Sequence, residues 1–235
     1  MKPACLPILP IVLAAALSTA NAALVASYNF DGSPTGLSSD SDANSTAGNF
    51  GVGAGINGGT LRISTFTAIS GANSASMLSN EISRNEADAI TNNDYWTFTV
   101  TATSGALNLD QLVFRYGSSR TEIPQASIFI RSSIDNFTGN IAFSDASTTL
   151  NYRAPEATAP GAWMPDAAVV PFSSLGAYQN LSNITFRIYG YDNAGHASAA
   201  GIRIENVQLT TIPEPSSIFA AALLPILSLM RKRRH

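Results

Sequence analysis

Residues 95–103 read Tyr95-Trp96-Thr97-Phe98-Thr99-Val100-Thr101-Ala102-Thr103. Successive side chains of an extended chain point to opposite faces. Trp96, Phe98, Val100 and Ala102 therefore share one face, and Tyr95, Thr97, Thr99, Thr101 and Thr103 share the other. An apolar face backed by β-branched hydroxyls predicts a strand with one side in a core and one toward water. The same period of two places Leu24, Ala26, Tyr28 and Phe30 together, and sets Ile184, Phe186 and Ile188 against Thr185, Arg187 and Tyr189. Further strands are predicted at Thr60–Phe66, Gln111–Tyr116, Ser127–Arg131, Ala167–Phe172 and Ile202–Leu209.

Two of these segments change parity. Leu107 and Leu109 are odd while Leu112, Phe114 and Tyr116 are even; Ile202 and Ile204 are even while Val207 and Leu209 are odd. A one-residue slip moves every side chain to the other face, so each switch predicts a bulge or a turn. Gly32–Gly48 and Ala154–Gly161 are rich in loop-forming residues. Only Asn80 to Ile90 carries a helical pattern, and no internal repeat is visible. Many short strands separated by turn signals predict an all-β fold, an antiparallel β-sandwich of jelly-roll-like type.

The two ends of the chain have a different grammar. Met1-Lys2 is a positive start, Leu6 to Leu17 is a mostly apolar run, and Ala20-Asn21-Ala22 is a small-residue cleavage site. That order predicts a secretory signal peptide over 1–22, with Ala23 the first mature residue. The single cysteine, Cys5, lies before the cleavage point, so a lipoprotein and any disulfide, thiolate or thiol nucleophile in the mature chain are excluded. Residues 23–212 are expected to form one domain, long enough to bury a core without staples. Between Ala23 and Ile212 eight arginines face fifteen carboxylates, for a net charge of −7, and there is no lysine. Such a surface cannot neutralise a phosphate backbone, which excludes nucleic acid as a partner.

Residues 213–235 hold three parts in order. These are Pro213-Glu214-Pro215, an apolar run from Ser216 to Met230, and the basic cluster Arg231, Lys232, Arg233 and Arg234. As a helix the run spans roughly 22 Å, short of the roughly 30 Å hydrocarbon core. The basic cluster would stay on the cytoplasmic side. This tail resembles the PEP-CTERM sorting signal of Gram-negative bacteria. The resemblance implies a hydrophobic sorting helix that holds the chain briefly in the inner membrane, and processing near the motif by an exosortase, a membrane cysteine protease. It implies an origin in a bacterium that makes exopolysaccharide. The body resembles the laminin-G-like or lectin-like domain common in such proteins, through Tyr28–Gly32, Asp94–Val100, Ile130–Phe137 and Thr185–Tyr191. That implies a fold and names no ligand.

Chemistry is sparse. The body has one histidine, His196, no lysine and no cysteine, and it lacks the nucleophile-elbow, zincin and phosphate-loop motifs. No catalytic residue is assigned. What remains for an enzyme is a carboxylate pair of the glycosidase kind, with Asp135 and Asp192 near strand ends. No cofactor is expected apart from a structural calcium ion. Asp40-x-Asp42-x-Asn44 alternates oxygen ligands but departs from the EF-hand loop at Ser45 and Gly51. By resemblance to jelly rolls, Asp31 and Glu205 are a second calcium pair, unless Glu205 faces solvent. For glycan contact the candidates are Trp163, Tyr189 and Tyr191, whose rings either stack on sugars or pack into the sandwich. The expectation is an exported, non-enzymatic protein of the cell surface or extracellular matrix. Its partners would be the export translocon, an exosortase and exopolysaccharide. A secreted carbohydrate-active enzyme with paired carboxylates is the other reading.

Overall fold

The computed structural model describes residues 22–31, 36–65, 73–78, 80–118, 126–145, 148–150, 152–153, 168–192 and 201–212. The proposed signal peptide and sorting tail, Trp163 and His196 lie outside these residues. Trp96, Phe98 and Val100 are buried, Thr97 and Thr99 half-buried and Thr101 exposed, as the alternation predicts.

The strands are β1 (Leu24–Tyr28), β2 (Ser45–Ala47), β3 (Gly51–Val52), β4 (Arg62–Thr65), β5 (Asn73–Leu78), β6 (Tyr95–Ala102) and β7 (Leu109–Ser118). They continue with β8 (Ala126–Ser132), β9 (Phe143–Asp145), β10 (Thr148–Leu150), β11 (Tyr152–Arg153), β12 (Ala168–Pro171), β13 (Asn183–Asp192) and β14 (Gly201–Thr211). One sheet runs β10-β9-β12-β7-β14-β5-β4, with β1 also on β14. The other runs β11-β8-β13-β6-β2, with β3 also on β6. The chain crosses repeatedly between the sheets, and their inner faces meet in one core. The fold is an antiparallel all-β sandwich.

Both parity switches are bulges. In β14, Glu205 sits opposite Arg115 and Gln208 opposite Val113, so Asn206 and Val207 together face one residue of β7. Asn206 takes a left-handed φ of 51°, a conformation asparagine tolerates. The extra residue returns Val207 and Leu209 to the core that Ile202 and Ile204 already occupy. The same bulge marks where the neighbour of β14 changes from β5 to β1. In β7 the extra residue is Asp110, which lets Leu109 and Leu112 both point inward.

A run of aromatic rings fills the core. Phe98 lies 5.4 Å from Tyr28, 6.0 Å from Phe50 and 5.4 Å from Phe186, and Phe186 continues through Phe172 to Tyr178. Each such pair adds about 0.5–1.5 kcal/mol beyond area burial. Tyr28 places its hydroxyl within 2.6 Å of the Gly48 carbonyl, which satisfies the buried O–H.

The helix α1 (Glu86–Asn92) begins later than the sequence pattern over 80–90 indicates. Asn85 has extended backbone, and its side chain accepts from the Asp88 N–H at 2.9 Å, so it caps the helix and ends the turn before it. That turn is held by buried Asp94, whose carboxylate accepts from the Ser83 N–H at 2.8 Å and hydroxyl at 2.6 Å. Among the described residues no helix is long and apolar enough to cross a membrane.

Candidate functional site

The outer face of the β8-β13-β6 sheet carries the polar half of the alternating pattern. The pairing of β13 with its neighbours makes three rungs: Thr99–Thr185, then Thr97–Arg187–Arg131, then Tyr95–Tyr189–Phe129. The third rung is closed. Ala89 of α1 packs on Phe129, Tyr189 and Tyr191, with Ile90 and Tyr95 at the margin. Tyr189 stacks on Phe129 at 4.7 Å with rings 4° apart, and meets Tyr95 edge-on at 5.1 Å. Tyr189 is 1% exposed and Tyr191 6%. Their ring faces are therefore covered, and of the two roles open to these tyrosines the structure shows packing.

The middle and first rungs stay partly open. Thr97, Thr99, Thr185, Arg187 and Tyr95 are all half-buried. The Arg187 guanidinium lies against two rings, 4.5 Å from the Tyr95 centroid and 3.8 Å from that of Phe137. Phe137 comes from the connection after β8, a short 3-10 turn (Ser133–Asp135) followed by Asn136 and Phe137 at φ 58° and 60°. A phenylalanine with positive φ is a strained conformation, and such strain gathers where a site fixes a side chain. Arg131 holds this connection in place. It donates to the Phe137 carbonyl at 2.9 Å, to Asn140 at 2.8 Å and to Glu86 of α1 at 3.1 Å. Glu86 also accepts from Asn140 at 2.8 Å, tying α1 to the connection. The result is a half-buried sheet face on which threonines stand in register beside Arg187 and the Tyr95 and Phe137 rings.

The carboxylates do not converge. Asp135 and Asp192 lie at opposite ends of β13, roughly 25 Å apart at the rise of a strand, too far to act on one bond. Asp135 accepts from the Gly139 N–H, and Asp192 is fully buried. Asp42 is used locally, accepting from the Asn44 N–H and the Ser45 hydroxyl, while Asn44 accepts from Ser104. Asp40 is half-buried on the same loop. Asp31 accepts from the Asn73 N–H at 2.9 Å, where the end of β1 meets the start of β5. Glu205 does not face solvent: it is buried, on the bulged part of β14, within electrostatic reach of Asp31 and Arg115. Among the described residues no group of three His, Cys, Asp or Glu could hold a metal ion.

Burial, with a smaller push from Asp31, raises the Glu205 carboxyl above its ordinary value, against an opposing pull from Arg115. The folded protein then binds this proton more readily than the unfolded chain. Stability from this group falls as pH rises from about 4.5 through the raised value. Glu205→Gln is expected to gain in melting temperature over the parent as pH is raised through that window. A pH-independent difference between the two melting curves would disprove the assignment.

No protein-family model matches the chain, and no curated protein matches it. Among solved structures it is similar to the K3 cleaved adhesin domain of Lys-gingipain from Porphyromonas gingivalis, at 15% identity over 80% of this chain and 100% of that one, with a TM-score of 0.40. It is also similar to a family 29 carbohydrate-binding module, at 13% identity over 81% of this chain and 91% of that one, TM-score 0.34. A family 28 carbohydrate-binding module specific for non-crystalline cellulose shows 10% identity over 68% of this chain and 86% of that one, TM-score 0.39. At such scores the likeness carries nothing beyond outline.

Sequence reasoning placed Arg187 on the right face but missed Tyr95, Phe137 and Arg131 as its companions. The available signal was the pair Asn136-Phe137 directly after a strand, since a turn residue followed by a large ring marks a loop that carries an aromatic.

Proposed function

We propose that the protein is exported through the translocon, processed at its tail by an exosortase, and displayed outside a Gram-negative cell as a non-enzymatic, jelly-roll-like module that contacts exopolysaccharide. The observation that carries the contact role is the outer face of the β8-β13-β6 sheet, where the Tyr95 and Phe137 rings beside Arg187 adjoin a row of half-buried threonines. Rings offer apolar faces to sugar C–H groups, and hydroxyls on a rigid sheet offer directional hydrogen bonds at little entropic cost. Thr99 and Thr185 already share a 2.7 Å hydrogen bond, which orients both oxygens. The export role is supported by the signal-peptide pattern over 1–22 and by the three-part tail over 213–235. A non-catalytic role is supported by a body without lysine or cysteine and by the separation of Asp135 from Asp192.

One preparation tests both parts. The protein recovered from the culture medium should have a mass that begins at Ala23 and ends near Pro213–Ser216, and it should co-sediment with the producer's own extracellular polysaccharide. A mass that still includes Arg231 to His235 would overturn the processing step. Failure to co-sediment, with the fold intact, would overturn the contact role.

A further inference from the structure

We propose that this face of the β8-β13-β6 sheet selects acidic sugars, and that Arg187 is the residue that reads the carboxylate of a uronate unit. This rests on the reading of the face as glycan-contacting and gives its ligand a charge.

Arg62, Arg131 and Arg187 are paired in different ways. Arg62 is neutralised by Glu81 through two contacts of 2.7 and 2.8 Å. Arg131 is neutralised by Glu86 and has further acceptors in Asn140 and the Phe137 carbonyl. Arg187 differs. Its one hydrogen bond among the described residues goes to the Tyr189 hydroxyl, at 3.4 Å, and no carboxylate pairs with it there. A guanidinium carries five N–H donors in a rigid fork, so most of this fork is left for something else. The Tyr95 and Phe137 rings lie against the guanidinium, at 4.5 and 3.8 Å from its central carbon, and aromatic rings do not use up its N–H donors.

A cation held against two rings has less rotamer freedom to lose on binding, and the fork of a guanidinium can receive a carboxylate through two parallel hydrogen bonds. The placement also sets the ligand's shape. Thr97 lies beside Arg187 in register, and its hydroxyl donates to the Phe186 carbonyl at 2.9 Å, leaving its oxygen as an acceptor on this face. The Thr99–Thr185 rung follows one step along the strands. A sugar whose carboxylate meets Arg187 would lay its ring hydroxyls along these threonines. The body's charge of −7 does not draw such a polymer from afar, so selection acts at contact. Salt screens the long-range repulsion between two like-charged partners more than it weakens a half-buried ion pair.

The test is affinity electrophoresis of the full-length protein in gels containing polygalacturonate, dextran sulfate or hydroxyethylcellulose, with EDTA present to remove bridging cations. Retardation by polygalacturonate is expected, at least about tenfold weaker for Arg187→Gln. Arg187→Lys, which keeps the charge and loses the fork, is expected to recover only part of the loss. Binding to hydroxyethylcellulose should be weak and indifferent to either substitution. Equal retardation by dextran sulfate and polygalacturonate, with Arg187→Lys like the parent, would show a charge effect and overturn carboxylate reading. Binding to hydroxyethylcellulose as strong as binding to polygalacturonate, with both unchanged by Arg187→Gln, would overturn the acidic-sugar inference while leaving the glycan-contacting face standing. No retardation in any gel would remove both. If Arg187→Gln melts well below the parent, Arg187→Lys alone decides between the first two outcomes.

Discussion

Replacing Phe98 by alanine is expected to lower the stability of the protein by about 3–5 kcal/mol, and Trp96→Ala by a similar amount. Phe98 is 2% exposed and touches Tyr28, Phe50 and Phe186, which come from β1, from the β2–β3 connection and from β13. Its removal opens a cavity where several segments meet, and rings fixed in a sheet cannot collapse into it. Trp96 is fully buried, and its indole N–H has no hydrogen-bond partner among the described residues, so its expected contribution is through packing. The control is Thr97→Ala between them. It removes one hydroxyl that donates to the Phe186 carbonyl, and is expected to cost no more than about 1 kcal/mol. Urea melts of the three variants decide the matter, and the reverse order would mean that the strand presents its other face to the core.

Gly53→Ala is expected to lower stability by about 1–3 kcal/mol. The Gly53 N–H donates to the Tyr95 carbonyl at 2.8 Å, pulling the turn after β3 onto the start of β6. A Cβ at Gly53 would run into the backbone carbonyl of Asn93 and press on the Tyr95 ring. Asn93 is the left-handed residue that ends α1, with its own N–H bonded back into the helix. The Asn93 carbonyl is backbone and cannot swing aside as a side chain could, so the turn or the end of α1 must shift. Gly176→Ala meets no atom within 4 Å and should fall within about 0.5 kcal/mol of the parent. Because Gly53 sets the position of α1 over Tyr189, its alanine variant should also raise the tyrosine fluorescence response to added quencher. Equal melting temperatures for the two glycine variants would refute this account.

What the sequence makes legible here is what a period of two can carry. The core face of β6 and the bulges at Asp110 and Asn206 follow from parity, since a buried sheet face tolerates no slip. β5 escapes the same reasoning, because Asn73-Ser74-Ala75-Ser76 lacks the β-branched and aromatic residues that mark a strand. It is a strand because it lies between β14 and β4. The Tyr189 and Tyr191 stripe looks the same in sequence whether it meets a sugar or a helix. Only the placement of Ala89 above it decides. The Arg187 cluster joins residues 95, 137 and 187, and no local pattern links positions so far apart.

The pairing of β1 with β14 has a consequence in time. Leu24 and Tyr28, among the first residues of the body to be synthesised, find their partners at Thr210 and Val207, among the last. Until those arrive, β1 has no edge to join, and the aromatic run through Tyr28 lacks its anchor. Contacts of such high sequence separation make folding slow and late. A chain built this way cannot close its sandwich until its final strand is available, and under the proposed export that delay would keep it threadable until the last strand had followed the rest.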